Sequence, residues 1–207
     1  MTTTKGRKFH PQAYTTAEVE QLIAACSPTS PTGKRNRALI VVLWRGALRC
    51  EEALQLKVHD LDRRRGTIRV MHGKGRRART VAIEPRAWAV LELWLLARQE
   101  LGVPRSAPVF CAAGGHRSAT GAPLSSRYVR LLMAQLGAKA GLEKRVHAHG
   151  LRHSRAAEMA DEGIPVHMIS VALGHSNVGT TDRYILHLGH ERQVLDAMLA
   201  SQWGQDG

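Results

Sequence analysis

Apolar runs framed by capping and breaking residues predict a mostly helical chain. Thr15 followed three residues later by Glu18 is typical of a capping box, in which each side chain binds a free backbone N–H at a helix start. Pro85 suits a first helical turn, Ser125 suits a cap, and Gly163 suits a helix end. The predicted helices cover residues 15–25, 37–44, 51–56, 85–101, 125–140, 149–162, 165–173, 180–186 and 192–203.

The pattern changes between residues 58 and 83, where apolar and polar positions alternate. The alternating runs cover residues 58–62, 67–71 and 79–83, and turns rich in arginine and glycine join them. A period of two is typical of half-buried strands, and short connections make neighbouring strands antiparallel. We therefore predict an α+β fold: one mostly helical domain with a small three-stranded antiparallel β-sheet.

Composition adds a strong charge to this picture. The chain has 207 residues, of which 43% are hydrophobic, and a formal net charge of +13. A surplus of this size favours a polyanionic partner, with nucleic acid first, although a solubility surplus is the ordinary alternative. The three cysteines form no Cys-x-x-Cys motif, and no apolar stretch is long enough to span a bilayer. We expect a DNA-associated protein of the cytoplasm, with no membrane partner.

Two arginines and a histidine suggest chemistry at a phosphate. Displacement at a phosphodiester builds charge on the non-bridging oxygens, and a guanidinium donates two parallel hydrogen bonds to such oxygens. Arg49 and Arg152 are candidates for this clamp, and His149 shares a helical face with Arg152 because it precedes it by three residues. For any single arginine among 30 basic residues, surface charge is the ordinary explanation.

A tyrosine, a second histidine and a lysine could complete this set. Tyr184 follows His175 by nine residues, and its phenol becomes a useful nucleophile where cations favour the phenolate. A phosphotyrosine ester would keep the bond energy of the phosphodiester, so rejoining would need no ATP. Lys74 lies between two glycines at the tip of the predicted hairpin, where it can protonate a leaving 5′ oxygen. Each residue alone is more simply explained by packing or by phosphate contact.

These residues occur in the order and spacing of a known signature. Its elements are Gly46-Ala47-Leu48-Arg49-Cys50-Glu51-Glu52, Gly73-Lys74-Gly75, His149-Gly150-Leu151-Arg152, Leu173-Gly174-His175 and Tyr184. The chain resembles the tyrosine recombinases, the phage integrase family, over about residues 14–188. Each element alone is a weak signal, whereas the complete ordered set is specific.

The resemblance implies a fold, a reaction and a role for each residue. The fold would be the catalytic domain of DNA breaking–rejoining enzymes, and the activity site-specific recombination or integration, without a cofactor. The implied roles are Tyr184 as nucleophile forming a 3′-phosphotyrosine link, Arg49 and Arg152 as phosphate ligands, Lys74 as general acid, His149 in proton transfer, His175 as a phosphate hydrogen-bond donor and Glu52 as supporting acid. Double-stranded DNA would be bound by a homotetramer, with accessory DNA-bending proteins as further candidate partners.

The resemblance also suggests how the chain is divided. We expect a basic arm at residues 1–14, the catalytic domain at 15–188, and a C-terminal helix or tail at 189–207 of the kind that docks on a neighbouring subunit. The family's N-terminal core-binding domain is expected to be absent. A naturally short recombinase and a truncated catalytic domain both fit this layout.

Basic residues outside the catalytic set are candidates for contacts with the DNA backbone. Such contacts would make binding strongly dependent on salt, although a solvated surface is an equally good explanation for each group. The predicted contacts are Lys34, Arg35, Arg37, Arg76, Arg77 and Arg79.

Three other functions compete with recombination. Residues 156–184 resemble a helix-turn-helix, which would suit a non-catalytic DNA-binding protein but would leave Arg49, Lys74 and Tyr184 unexplained. A type IB topoisomerase would use similar chemistry for strand relaxation. A metal-dependent nuclease could use the closely spaced His147, His149 and His153, although the carboxylates and cysteines usual at zinc sites are not nearby in the sequence.

Overall fold

The computed structural model describes residues 13–71, 78–114 and 119–174. Helices dominate these ranges, and three short strands lie between the third and fourth helices. In chain order the elements are α1 (Thr16–Ala24), α2 (Pro31–Arg45), α3 (Cys50–Gln55), a 3-10 turn (Val58–Asp60), β1 (Leu61–Asp62), β2 (Thr67–Val70), β3 (Arg79–Ala82), α4 (Pro85–Glu100), α5 (Ser126–Lys139), α6 (Ala148–Asp161) and α7 (Val166–Leu173). The predicted α+β fold is confirmed.

Helix α2 forms the centre of the molecule. Its residues 38–44 are apolar on every side and almost completely buried, as expected of a helix surrounded by other elements. It packs against α1, α3, α4 and α6. Each fully buried leucine or isoleucine in it contributes about 1.5–3 kcal/mol of transfer free energy. The core around α2 therefore fixes the relative positions of the helices that carry the candidate site.

The ends of the helices follow from local capping. The capping box of α1 is present, with Thr15 N donating to Glu18 Oε2 at 2.8 Å and Glu18 N donating to Thr15 Oγ1 at 3.2 Å. Helix α2 begins at Pro31 rather than at residue 37, because Ser30 Oγ accepts from Gly33 N at 3.1 Å and proline fits the first turn. The predicted start of this helix at residue 37 was therefore too late.

The sheet has the predicted antiparallel order β1-β2-β3. Its register pairs Ile68 with Val81 and Val70 with Arg79, so the apolar side chains share one buried face. The predicted first strand is shorter than expected, because Asp60 Oδ2 accepts from Lys57 N at 3.0 Å and turns residues 58–60 into a 3-10 helix. Residues 72–77, with Lys74 among them, lie outside the described residues.

Tyr14 belongs to the folded domain and not to the predicted arm. Its ring is buried, its backbone N donates to Ser154 Oγ at 2.7 Å, and its hydroxyl accepts from His147 N at 2.9 Å. The ring packs closely on Gly150 at the start of α6, where a larger residue would clash with it. The arm assigned to residues 1–14 is therefore too long at its end. None of the described helices is long and apolar enough to cross a membrane.

Candidate active site

The chain leaves α2 through a left-handed turn at Ala47. Its φ angle is 48°, and its methyl group is buried against Ala156, Ile169 and Leu173. A non-glycine residue in this region costs on the order of 1 kcal/mol, so the surrounding packing must hold it there. The turn points the Ala47 carbonyl at Arg152, whose Nη1 donates to it at 2.6 Å.

Glu52 joins two arginines at the start of α3. Arg49 is the N-cap of this helix, and Glu52 Oε2 accepts from its backbone N at 2.8 Å while Oε1 accepts from its Nη1 at 2.8 Å. Arg79, on β3, donates from Nη1 to Oε1 at 2.9 Å and from Nη2 to Oε2 at 2.8 Å. The carboxylate is 7% exposed. Glu52 thus orients Arg49 through both its backbone and its guanidinium.

The electrostatic balance keeps Glu52 ionised. Burial by itself would raise the pKa of this carboxyl, but the hydrogen bonds and positive charges of Arg79 and Arg49 outweigh burial and lower its pKa to about 2. The group therefore carries its negative charge throughout the neutral range.

Arg152, in α6, is the most deeply buried of the three cations. Its side chain is 1% exposed, and Nη2 donates to the Leu173 carbonyl at 2.5 Å while Nη1 holds Ala47. Burial, followed by repulsion from Arg49, lowers its pKa to about 9, with Glu52 acting in the opposite direction. The guanidinium is still charged at neutral pH, but it lies in an environment that would gain from an added anion.

All three arginines donate hydrogen bonds to backbone carbonyls at the C-terminal end of α7. Arg79 Nε donates to the Ala172 carbonyl at 3.2 Å, Arg152 Nη2 to Leu173, and Arg49 Nη2 to the Gly174 carbonyl at 3.4 Å. The last carbonyls of a helix lack partners within the helix and carry partial negative charge, so cations are favoured there. Gly174 itself is left-handed, with φ 64° and ψ 43°. Three elements distant in sequence therefore meet at one helix end.

Counting formal charges shows what the cluster can bind. Arg49, Arg79 and Arg152 contribute three positive charges and Glu52 one negative charge, which leaves +2 among these four residues. A partly buried surplus of positive charge with planar N–H donors suits the non-bridging oxygens of a phosphodiester. The structure thus brings together the predicted Arg49 and Arg152, which are 103 residues apart, with the predicted Glu52.

His149 lies beside this cluster in the first turn of α6. Its ring meets that of His153 edge to face with centroids 4.1 Å apart. Partial burial, followed by the positive charges of Arg152, His147 and Arg49, lowers the pKa of His149. A neutral imidazole beside a phosphate site can accept a proton.

The remaining predicted catalytic residues, Lys74, His175 and Tyr184, lie outside the described residues, as do Arg76 and Arg77. The predicted helices at 180–186 and 192–203 do so too. Chain connectivity still places His175 next to Gly174, whose carbonyl contacts Arg49. The β2–β3 connection that contains Lys74 ends near Arg79, which contacts Glu52.

Comparison with known proteins decides the family. A sequence model described as the Phage integrase family matches residues 12–190. The chain belongs to the phage integrase family. The resemblance inferred from the catalytic motifs is confirmed.

Relatives of this family member are named recombinases. The tyrosine recombinase XerC of Halalkalibacterium halodurans is 35% identical over 182 residues, which cover 88% of this chain and 60% of the relative. The tyrosine recombinase XerA of Thermococcus kodakarensis is 35% identical, covering 84% of this chain and 57% of the relative. The chain therefore spans about 60% of the length of these relatives.

Solved structures agree with the family fold. A crystal structure of XerA recombinase has a TM-score of 0.74 at 28% identity and covers 88% of this chain and 62% of its own. XerH recombinase bound to palindromic difH DNA, in a post-cleavage complex, has a TM-score of 0.74 at 26% identity and covers 98% of this chain and 56% of its own. The catalytic-domain fold predicted from the motifs is confirmed.

Two predicted DNA contacts of this phage integrase family member have different surroundings from those expected. Arg35 is 3% exposed, and it donates to Asn36 Oδ1 at 2.7 Å, to the Cys111 carbonyl at 3.2 Å and to the Tyr128 hydroxyl. This arginine therefore joins α2 to α5 inside the core, so its prediction as a DNA contact was wrong. Arg79 is turned inward to Glu52. Lys34 and Arg37 are partly exposed, and their DNA contacts stay predictions.

The three closely spaced histidines do not converge as metal ligands. His147 caps α6, because its Nδ1 accepts from Gly150 N at 3.0 Å, whereas His149 and His153 face each other. Across the described ranges, no group of three or more histidine, cysteine or acidic residues is arranged to hold a metal ion. The helix-turn-helix suggested for residues 156–184 includes α7, whose C-terminal carbonyls help to build the arginine cluster.

Sequence reasoning missed the structural part played by Arg79 and by Ala47. The positive φ of Ala47 leaves no trace in the sequence, since alanine rarely adopts it. Arg79 lies among other basic residues of the hairpin, and its partner Glu52 is 27 residues away in the sequence, so local patterns do not reveal the pair. One signal was available: in an alternating strand, residue 79 falls on the same face as buried Val81 and Ile83.

Proposed function

We propose that this protein is a site-specific DNA recombinase. It cuts and rejoins DNA strands through a 3′-phosphotyrosine intermediate, and it needs neither a metal ion nor ATP. One observation carries the proposal: Arg49, Arg79 and Arg152 converge on the C-terminal end of α7, where Glu52 pairs with Arg49 and Arg79. Such a cluster supplies the positive charge that a phosphoryl-transfer transition state requires.

Arg49 and Arg152 bind the scissile phosphate. Each terminal nitrogen of a guanidinium carries two hydrogens, so Arg152 can donate to a phosphate oxygen while it keeps the carbonyls of Ala47 and Leu173. These carbonyls hold the fork at a fixed angle before DNA arrives. Preorganised donors need no reorientation as negative charge develops on the phosphate.

The proton transfers are assigned to the remaining family residues. Tyr184 attacks phosphorus, Lys74 protonates the leaving 5′ oxygen, and His175 donates a hydrogen bond to the phosphate. His149, with its lowered pKa, accepts the proton of the attacking phenol. Reversal of these transfers with a new 5′ hydroxyl rejoins the strand, because the phosphotyrosine ester keeps the energy of the broken bond.

Double-stranded DNA is the proposed partner, with a homotetramer as the active assembly and DNA-bending proteins as accessories. Relatives support DNA as the partner, since XerH was solved with difH substrate. The net charge of +13 supports a polyanionic partner independently. Lys34 and Arg37 are retained as proposed contacts with the DNA backbone.

Covalent trapping tests this function directly. The protein is incubated in EDTA with a nicked suicide duplex that carries a palindromic dif-like site, and SDS-resistant protein–DNA adducts are quantified. We expect an adduct with the wild type and none with Tyr184→Phe, which keeps the ring but lacks the nucleophilic oxygen. Tyr128→Phe is the matched control, because Tyr128 bonds to Arg35 in the core, away from the arginine cluster. An adduct that persists in Tyr184→Phe would contradict the proposal.

A further inference from the structure

The feature behind this inference is the inward orientation of Arg79. It lies at the start of β3, where an exposed basic residue would contact DNA, yet its side chain is only 11% exposed. Its two terminal nitrogens bind the two oxygens of Glu52 at 2.9 and 2.8 Å, which is the bidentate geometry favoured by arginine and carboxylate. A phosphate contact would have to compete with this ion pair.

Arg79 also contacts the helix end that leads to His175. Its Nε donates to the Ala172 carbonyl at 3.2 Å, and a Cβ placed on Gly174 would lie 2.9 Å from its Nη1. The left-handed glycine therefore gives the guanidinium room to lie against the chain. A single side chain thus bridges three parts of the site: the Arg49–Glu52 corner, the C-terminal end of α7 and the strand that follows Lys74.

We propose that Arg79 is a positioning residue for the cleavage reaction, which holds Glu52, and through it Arg49, in register with the end of α7. This inference rests on the proposed recombinase function. Glu52 accepts from Arg79 on one side and from Arg49 on the other, so the direction of the Arg49 fork depends on a carboxylate that Arg79 fixes. Arg79 acts through Glu52 and the α7 carbonyl, and it does not replace Arg49 or Arg152 at the phosphate.

Removal of Arg79 would have an electrostatic consequence that a packing defect would lack. Burial acts to raise the pKa of Glu52, and Arg79 is the strongest influence that lowers it. Without Arg79 the carboxyl should take up a proton at a higher pH than in the wild type. A protonated Glu52 accepts fewer hydrogen bonds from Arg49, so cleavage should decline as the pH falls through this range.

The test uses the full chain and the suicide duplex, with Arg79→Ala, Arg79→Lys and the control Arg69→Ala. Arg69 lies on neighbouring β2 and forms its ion pair with Asp60 at 3.1 Å, outside the cluster. The rate of adduct formation, DNA affinity and the thermal midpoint are measured for each. We expect Arg79→Ala to slow cleavage by about 100-fold with little change in affinity, and Arg79→Lys to recover part of the rate. Arg69→Ala should cleave at the wild-type rate.

Two further measurements separate positioning from damage to the fold. Added guanidinium ion should accelerate cleavage by Arg79→Ala, relative to sodium chloride at the same ionic strength, and should not accelerate cleavage by Arg69→Ala. On acidification the rate for Arg79→Ala should begin to fall at a higher pH than the wild-type rate does, and this acid limb should disappear when Glu52→Gln is added. If Arg79→Ala does not fold, Arg79→Gln, which removes the charge but keeps a polar side chain, provides the same pH comparison.

The outcomes distinguish this inference from the function on which it rests. A wild type that forms no adduct overturns both. A wild type that cleaves, with Arg79 variants that match Arg69→Ala, overturns the positioning role and leaves the recombinase function intact. A slow Arg79→Ala that has neither guanidinium rescue nor an acid limb would assign Arg79 to folding alone.

Discussion

Two arginine–carboxylate networks that both include residues of α6 or its C-terminal neighbour have opposite charge balances. Around Glu52, Arg49 and Arg79 share the carboxylate, and the charge of Arg152 lies close enough to interact with it. Around Glu158, two arginines share three carboxylates: Arg45 binds Glu158 at 3.0 Å and Glu84 at 2.8 Å, and Arg155 binds Glu158 at 3.2 Å and Glu162 at 2.7 Å. By formal charge the first group carries +2 and the second −1.

The difference shows that the positive surplus at the site is local. A strongly basic chain could place unbalanced cations anywhere, yet this fold supplies extra acids where Arg45 and Arg155 meet Glu158. The Glu158 network also takes in the Trp44 indole, whose Nε1 donates to Glu158 Oε1 at 2.8 Å, so it ties α2 to α6. The Glu52 network leaves its charge unbalanced, which suits a partner that brings negative charge.

The largest expected effect, on the rate of cleavage, comes from replacing one arginine of each network with alanine. Arg152→Ala should slow adduct formation by about 100- to 1,000-fold, because a preorganised donor to the transferring phosphate is lost. Arg155→Ala, in the same helix, should retain the wild-type rate and lose about 1 kcal/mol of unfolding free energy at most. Single-turnover cleavage and urea unfolding of both variants check this, and equal cleavage rates would remove the distinction between the networks.

A smaller effect, on stability rather than on rate, is expected at Glu158. Glu158→Ala removes the partner of the Trp44 Nε1 and a shared acceptor of Arg45 and Arg155, so unfolding should become easier by about 2 kcal/mol. Cleavage per folded molecule should be unchanged. Thermal unfolding followed by circular dichroism would measure the loss, and a reduced cleavage rate in fully folded protein would argue against a purely structural network.

The smallest effect should come from Glu162, at the edge of the same network. Its side chain is 49% exposed, and solvent screens its ion pair with Arg155. Glu162→Ala should change the unfolding free energy by less than about 0.5 kcal/mol. Chemical denaturation of Glu162→Ala and Glu158→Ala provides the comparison. Equal losses of unfolding free energy in the two variants would show that burial does not determine how much each contact stabilises the fold.

Local signals explain why most of the fold could be predicted from the sequence. Thr15 with Glu18, Pro85, Ser125 and Gly163 mark helix ends by contacts within a few residues, and the structure follows them. Ser30 was a similar signal that proline-rich surroundings concealed. Motif order also identified Arg49, Glu52 and Arg152, which the structure brings together. The roles of Lys74 and His175 stay predictions, and the trapping experiment tests the role of Tyr184.

The errors have a common physical cause, which is the burial of arginine. Arg35 and Arg79 stand in basic stretches and appear suited to DNA, but their partners are supplied by other elements of the fold. Arg35 reaches Cys111 and Tyr128, which are 76 and 93 residues away. A long aliphatic stem and a fork with five donors let one residue type serve the surface or the core equally well. For Arg35 the sequence offered no means of choosing between these environments, and for Arg79 the alternation of β3 was the one available signal.

The arginines bind backbone carbonyls at the end of α7, and such contacts are invisible when sequences are compared. Every amino acid has a backbone carbonyl, so the hydrogen bonds that Ala172 and Leu173 offer to the arginines leave no mark in the identity of those residues. Gly174 is different, because a Cβ there would press on Arg79 and the left-handed backbone would be strained. The glycine of the Leu-Gly-His motif is therefore required in part by the guanidinium packed beside it. Substitutions at Gly174 should disturb the position of Arg79 even though they leave Arg79 itself unchanged.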